Sequence, residues 1–145
     1  WGNEEATKEV FNDDGWFKSG DLGYIEGGFV YIVDRVKDLV IRGGENIACI
    51  EVEAAIYQHP SVQEVAVFGI PEERLGETLC ASICLKPSSQ LTEIELQEFL
   101  HNKIAAFKIP SMLKIDSLDL PRVASGKFDK KVLRNEFVSI EQNLS

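Results

Sequence analysis

Three short stretches carry residue types that could do chemistry. In Ser19-Gly20-Asp21 a small, turn-forming pair precedes an aspartate and exposes its carboxylate. An ionised carboxylate accepts two hydrogen bonds from a vicinal diol such as that of a ribose, although a lone Gly-Asp is more often a turn or capping residue. Arg35, next to Asp34, has the charge for the same sugar or a phosphate, and equally for an exposed ion pair. In Ser125-Gly126-Lys127, after Pro121 and before Lys130 and Lys131, a turn delivers one ammonium on a long stem. Such a point charge can offset negative charge building in a transition state; it can also be an ordinary surface lysine. No GxxxxGK[ST] string is present, so Ser125-Gly126-Lys127 lacks the context of a phosphate cradle.

The bulk properties narrow the ligand. The 145 residues fall within the single-domain range, and 44% hydrophobic residues suffice for an ordinary core. A formal net charge of -9 argues against general nucleic-acid binding. From His101 to Arg134, eight Lys/Arg stand against three Asp/Glu (net +5), whereas the rest of the chain has seven against twenty-one (net -14). A basic stretch around Lys127 on an acidic chain suits a small anionic ligand, or is a solvated charged face. Cys49, Cys80 and Cys84 are odd in number and lack CxxC spacing, so they read as buried, reduced thiols of a cytoplasmic protein. The two histidines, His59 and His101, do not complete a zinc ligand set, and no metal site is expected. No apolar run is long enough to span a bilayer, so membrane association is not indicated. The chain begins at Trp1 and its only methionine is Met112, which predicts an excised or processed fragment.

The elements that must position these residues follow from periodicity. Glu5 to Phe11 predicts a short helix and Asp14-Gly15 a turn. Leu22, Tyr24, Phe29, Tyr31 and Val33 alternate around Glu26-Gly27-Gly28, a hairpin over residues 20–34. Asp38 to Arg42 is a short strand closed by Gly43-Gly44, with a second arm at Glu45 to Ile47. Ile50 to His59 predicts a helix with Ile50, Ala54 and Tyr57 on one side and Val52, Ala55 and Ile56 nearby, stopped by Pro60. Val62 to Ile70 and Thr78 to Lys86 predict strands around a Pro71–Gly76 loop, and Cys80 and Cys84 would share a face. Thr92 and Glu95 form a capping-box pattern, after which Leu96, Phe99, Leu100, Ile104 and Phe107 keep helical spacing. Ser111 to Leu118 reads as an extended edge, Pro121 to Phe128 as a mobile loop, and Asp129 to Phe137 as a terminal helix. The fold class is α+β: a small domain with a short central sheet flanked by helices, preceded by a hairpin strip.

Taken together, three ordered stretches carry a resemblance. Gly15-Trp16-Phe17-Lys18-Ser19-Gly20-Asp21-Leu22-Gly23, the run from Asp34-Arg35-Val36-Lys37-Asp38 through Gly43-Gly44-Glu45-Asn46-Ile47, and Pro121 to Lys131 resemble the adenylate-forming superfamily. Its members include acyl-CoA synthetases, luciferase and peptide-synthetase adenylation domains. Val65 to Pro71 and Gly76-Glu77 also match the connecting stretch of such proteins. The resemblance implies ATP, Mg and CoA as ligands of an intact enzyme that converts a carboxylic acid, expected to be a fatty acid, to acyl-AMP and then to a thioester. It implies that Asp21 and Arg35 contact the ribose and that Lys37 is a hinge. It further implies that Lys127 serves adenylation, and that Gly43, Gly44, Glu45 and Asn46 line the pantetheine path. Residues 1–36 would then close a large N-terminal domain, which becomes the chief partner, and 37–145 would form the small mobile one. The Gly-Gly-Glu-Asn-Ile string is similar to acyl-CoA synthetases; a ligase using a carrier-protein acceptor, or a non-catalytic module keeping the fold, are the alternatives. The family's phosphate loop, adenine segment and acyl pocket are not in these residues, so the chain alone is expected to be inactive and to bind no ATP tightly.

Overall fold

Two adjacent glycines, Gly27 (φ 58°) and Gly28 (φ 84°), make the tight turn of the first strand pair. Both central residues of such a hairpin turn need positive φ, which only glycine adopts without strain. The turn joins β1 (Asp21–Glu26) to β2 (Phe29–Arg35), antiparallel, with Asp21 opposite Arg35 at the open end. A bulge at Leu22/Gly23 shifts the register. The bulge is close-packed, since a Cβ on Gly23 would lie 2.6 Å from the Tyr31 carbonyl oxygen. Before the hairpin, α1 (Glu4–Val10) starts at Asn3, whose side chain accepts from the Ala6 N–H at 3.1 Å.

The computed structural model describes residues 2–144, and these divide between Lys37 and Asp38 into two units. The hairpin unit has no buried residue among those described. Trp16, Ile25 and Phe29 remain 70% or more exposed, so strand-forming side chains are present without a core to receive them.

The second unit is a layered α/β/α arrangement. Its strands are β3 (Leu39–Arg42), β4 (Glu45–Ala48), β5 (Val62–Glu72), β6 (Gly76–Leu85) and β7 (Met112–Asp116). They run in the order β4-β3-β6-β5, and β7 lies parallel to β6 along Cys80–Cys84. Alternation assigns the faces. Val65, Val67, Leu79, Ala81 and Ile83 pack against α2 (Cys49–Tyr57) and α3 (Glu93–His101). Ala66, Phe68, Ile70, Cys80 and Cys84 pack against Leu133 and Phe137 of α4 (Lys130–Leu144). Cys80 and Cys84 do share a face, and all three cysteines are buried.

Several boundaries differ from the periodicity. The buried stripe of α2 is Cys49, Val52, Ala55 and Ile56, while Ile50 and Tyr57 are about half exposed. The helix is apolar nearly all round, so spacing alone does not choose its phase; contact with the sheet does. The Pro71–Gly76 loop shrinks to three residues, because Pro71 pairs with Glu77 and Glu72 with Gly76. Proline is tolerated there because β5 is an edge strand. Helix α3 stops at His101: the N–H groups of Lys103 and Ile104 both turn onto the Leu100 carbonyl, which sends Ile104 back against the core and leaves Phe107 41% exposed. Helix α4 runs beyond Phe137; Val138 still packs against the core, and Ile140 is exposed.

The outer edge of β5 is covered by side chains. Glu53 accepts from the Val67 N–H at 2.9 Å, the Tyr57 hydroxyl from Val65 at 3.4 Å, and Arg134 Nε donates to the Gly69 carbonyl at 3.2 Å. An edge with its polar groups occupied does not recruit further strands.

Candidate functional site

The register of the first hairpin, Asp21 opposite Arg35, brings two of the sequence-derived residues together. Arg35 Nε lies 3.3 Å from Asp21 Oδ1, with the two side chains 48% and 33% exposed. Asp34 Oδ1 accepts from the Arg35 backbone N–H at 2.7 Å. Gly20 (φ 77°) makes the bend before Asp21, held by Val36 N–H on the Gly20 carbonyl at 2.9 Å and by the Asp21 N–H on Ser19 Oγ at 3.2 Å. An exposed pair of this kind adds at most about 1 kcal/mol. Its effect is orientation: one carboxylate oxygen faces Arg35, and the other is free to accept from a diol.

Lys37 ends the first unit, inside a single 3-10 turn (Val36–Asp38), and is exposed. The second unit begins at once with an anchor, as Cys49 Sγ donates to the Asp38 carbonyl at 3.0 Å.

Gly43 (φ 59°) and Gly44 (φ 86°) form the two-residue turn between β3 and β4. No atom lies within 4 Å of where a Gly44 Cβ would sit, so the space beside it is open. The turn is fastened to the β5–β6 turn. Gly43 N–H donates to the Leu75 carbonyl at 2.8 Å, and Arg42 is the register partner of Gly76. The Ile41 N–H donates to Glu77 Oε2 at 2.7 Å. Glu72 shapes the neighbouring turn by accepting from the N–H groups of Arg74 and Leu75, both at 2.9 Å. Those two donors hold its carboxyl below the ordinary range. Glu45 and Asn46 follow as exposed residues of β4, while Ile47 is buried.

Lys127 lies at the other end of the sheet. Its segment is a hydrogen-bonded turn, not the open loop its composition suggests. Val123 N–H donates to the Lys127 carbonyl at 2.9 Å, Gly126 (φ 83°) to Val123 at 2.8 Å, and Asp129 to Pro121 at 2.7 Å. The Lys127 side chain is exposed, and among the described residues its ammonium has no hydrogen-bond or ion-pair partner. The turn is joined to Glu64, near the start of β5, through Arg122 and through the Leu120 N–H at 3.2 Å. Glu72, beside the Gly43-Gly44 turn, is eight residues along the same strand. At about 3.3 Å per residue the two attachment points are roughly 26 Å apart.

Sequence reasoning passed over Arg122, Glu64 and Glu77 as contributors. Arg122 and Glu77 lay inside quoted motifs without a role, whereas Glu64 carries no local signal because its partners are 56 and 58 residues away. Cys80 and Cys84 are disfavoured as thiolates: burial pushes Cys80 up to about 12, and Cys84 is raised by burial and then by Asp119, Glu64 and Asp116.

Comparison with known proteins shows the family of the chain. A family model described as the AMP-binding enzyme C-terminal domain matches residues 51–127. The mitochondrial medium-chain acyl-CoA ligase ACSF2 of Bos taurus is 41% identical over the whole chain, which spans 23% of that protein's length. An oxalate–CoA ligase of Arabidopsis thaliana is 37% identical over 94% of the chain and 26% of its own length. Among solved structures, ATP-bound MatB from Rhodopseudomonas palustris superimposes with a TM-score of 0.88 at 39% identity, covering 97% of this chain and 28% of that one. The chain thus spans about a quarter of the length of the relatives it matches.

Proposed function

The chain belongs to the AMP-binding enzyme C-terminal domain family of adenylate-forming ligases, and from that premise we propose that it is the moving part of an ATP-dependent acyl-CoA synthetase. In this reading residues 1–36 complete a large N-terminal domain, and residues 37–145 form a small domain that swings at Lys37. The exposed apolar hairpin of residues 21–35 fits a strip that needs further chain to cover it. Relatives carry names of CoA ligases, and MatB is a structure with ATP bound, which supports ATP and CoA as ligands; Mg accompanies ATP in the proposal.

One observation carries the reading: the Lys127 turn is attached near Glu64 and the Gly43-Gly44 turn near Glu72, at opposite ends of β5, about eight residues or roughly 26 Å along the strand. A single site cannot receive both at once, so a unit that serves both must reorient between two steps. In the first step, Asp21 and Arg35 hold the ribose. The Lys127 ammonium, unpartnered here, offsets charge as the substrate carboxylate attacks the α-phosphate and pyrophosphate leaves. In the second step, the open space beside Gly44 admits a thin thiol-bearing arm against backbone. The thiol sulfur bonds to the acyl carbon, the carbon–oxygen bond to AMP breaks, and the thiol proton leaves to solvent.

A fatty acid is the proposed substrate class. Relatives named for medium-chain and oxalate substrates are about equally similar to this chain, which fits an acyl pocket lying outside it. The isolated 145 residues are proposed to be inactive, and the buried thiols of Cys80 and Cys84 fit a reducing, cytoplasmic setting.

The test uses the full-length enzyme carrying this chain. Lys127→Ala should slow adenylation, read by pyrophosphate exchange, by about 100- to 1000-fold, and spare thioester formation from supplied acyl-AMP. Gly44→Leu should do the reverse. Equal losses in both half-reactions for either variant would defeat the two-step assignment.

A further inference from the structure

The Lys127 side chain has no partner among the described residues, yet one residue contacts the backbone and ring on either side of it. Arg122 Nη1 donates to the Gly126 carbonyl at 2.7 Å, the oxygen of the peptide that leads into Lys127. Its Nη2 is bonded to the Glu64 carboxylate, and its guanidinium lies 4.4 Å from the centroid of the Phe128 ring, the residue after Lys127. Arg122 and Phe128 are also bridged as strand partners. Both chain neighbours of Lys127 are therefore gripped by a single planar group. Glu64 belongs to β5, its side chain is 17% exposed, and its second oxygen takes the Leu120 N–H. The grip is thus referred to the central sheet rather than to another loop.

Resting on the adenylation reading above, we propose that Arg122, braced by Glu64, is a positioning residue that aims Lys127 for the adenylation step. The chemistry requires arginine. A guanidinium can direct separate N–H groups to a carboxylate and a carbonyl while its face lies on a ring. A lysine ammonium is a point charge that can replace the Glu64 contact but not all three together. Without the clamp, the backbone of the turn must be ordered each time the step occurs. Misplacement of about 1 Å in a reacting group already costs about 100-fold.

The experiment again uses the full-length enzyme, with Arg122→Met, Arg122→Lys, Glu64→Gln and, as reference, Lys127→Ala. Three readouts are taken: kcat and KM for ATP in adenylation, thioester formation from supplied acyl-AMP, and hydrogen exchange of the peptide covering residues 121–129. Arg122→Met is expected to lower adenylation kcat by about 10- to 100-fold with KM for ATP unchanged, to leave thioester formation intact, and to speed exchange in that peptide alone. Arg122→Lys should recover part of the kcat, and Glu64→Gln should follow Arg122→Met in direction. Unchanged exchange in Arg122→Met overturns the clamp whatever the activity. So does a loss shared by both half-reactions, or a fall in exchange protection across the whole second unit, which marks a merely structural role. If exchange quickens but Lys127→Ala keeps full adenylation, the role of Lys127 is what fails, and the aiming function falls with it.

Discussion

Gly69→Ala is a small change with a calculable consequence. A Cβ at Gly69 would meet Glu77 Oε1 at 2.8 Å, Glu77 Cδ at 3.1 Å and Val40 Cγ1 at 3.1 Å. Its φ is not positive, so the backbone accepts alanine; the obstacle is the Glu77 carboxylate lying across the glycine to reach the Ile41 N–H at 2.7 Å. Expelling that carboxylate removes a charged hydrogen bond, about 1.5–3 kcal/mol. The crowding against Val40 adds to this, and relief of glycine's extra chain entropy returns about 0.5–1 kcal/mol. The net destabilisation is about 1–3 kcal/mol, on the order of 10 °C in Tm for a unit of this size. Urea denaturation followed by circular dichroism measures it in Gly69→Ala, Glu77→Ala and the double variant. Once Glu77 is shortened, the added methyl meets only Val40, so the double variant should be little worse than Glu77→Ala, with a coupling of at least 1 kcal/mol. Costs that add to within about 0.5 kcal/mol would refute the account. In the full-length enzyme, Gly69→Ala should also slow thioester formation more than adenylation, because Ile41 lies two residues before Gly43 in the tethered turn.

Gly23→Ala should collapse the bulge that sets Asp21 against Arg35, since its Cβ would sit 2.6 Å from the Tyr31 carbonyl oxygen; in the full-length enzyme KM for ATP should rise about 10-fold, the worth of one hydrogen bond of about 1.4 kcal/mol. Native Cys80 and Cys84 should resist alkylation at pH 8 and react once urea unfolds the chain. Their folded thiols are raised, that of Cys80 to about 12. The unfolded chain therefore loses protons first, and stability should fall as pH climbs from about 9 toward 12. Glu95 is held below its ordinary range by the Thr92 N–H and hydroxyl. Its contribution is present above the unfolded value of about 4.3 and is lost as pH falls through the lowered folded value. Thr92→Ala should cost about 1 kcal/mol at pH 7 and flatten that acid limb of the stability profile.

Much of this molecule is legible along the chain because its signals are local. Paired glycines at 27–28 and 43–44 specify two-residue turns, alternation specifies the strands they join, and Thr92 with Glu95 specifies a helix start. The order of the motifs containing Asp21, Lys37 and Lys127 was enough for the family resemblance. What the chain order does not carry is any relation set by packing between distant segments. The phase of α2 is open until a sheet face selects Val52, Ala55 and Ile56, and the end of α3 depends on Ile104 turning back to the core. The Arg122–Glu64 contact joins residues 58 apart and the Ile41–Glu77 contact residues 36 apart; such pairs exist only after β5 and β6 have been laid beside the elements that reach them. The roughly 26 Å along β5 between the attachment points of the Lys127 turn and the Gly43-Gly44 turn has the same origin. Residue types and spacing determine which groups can react, and the sheet alone decides that those two turns stand at opposite ends of it.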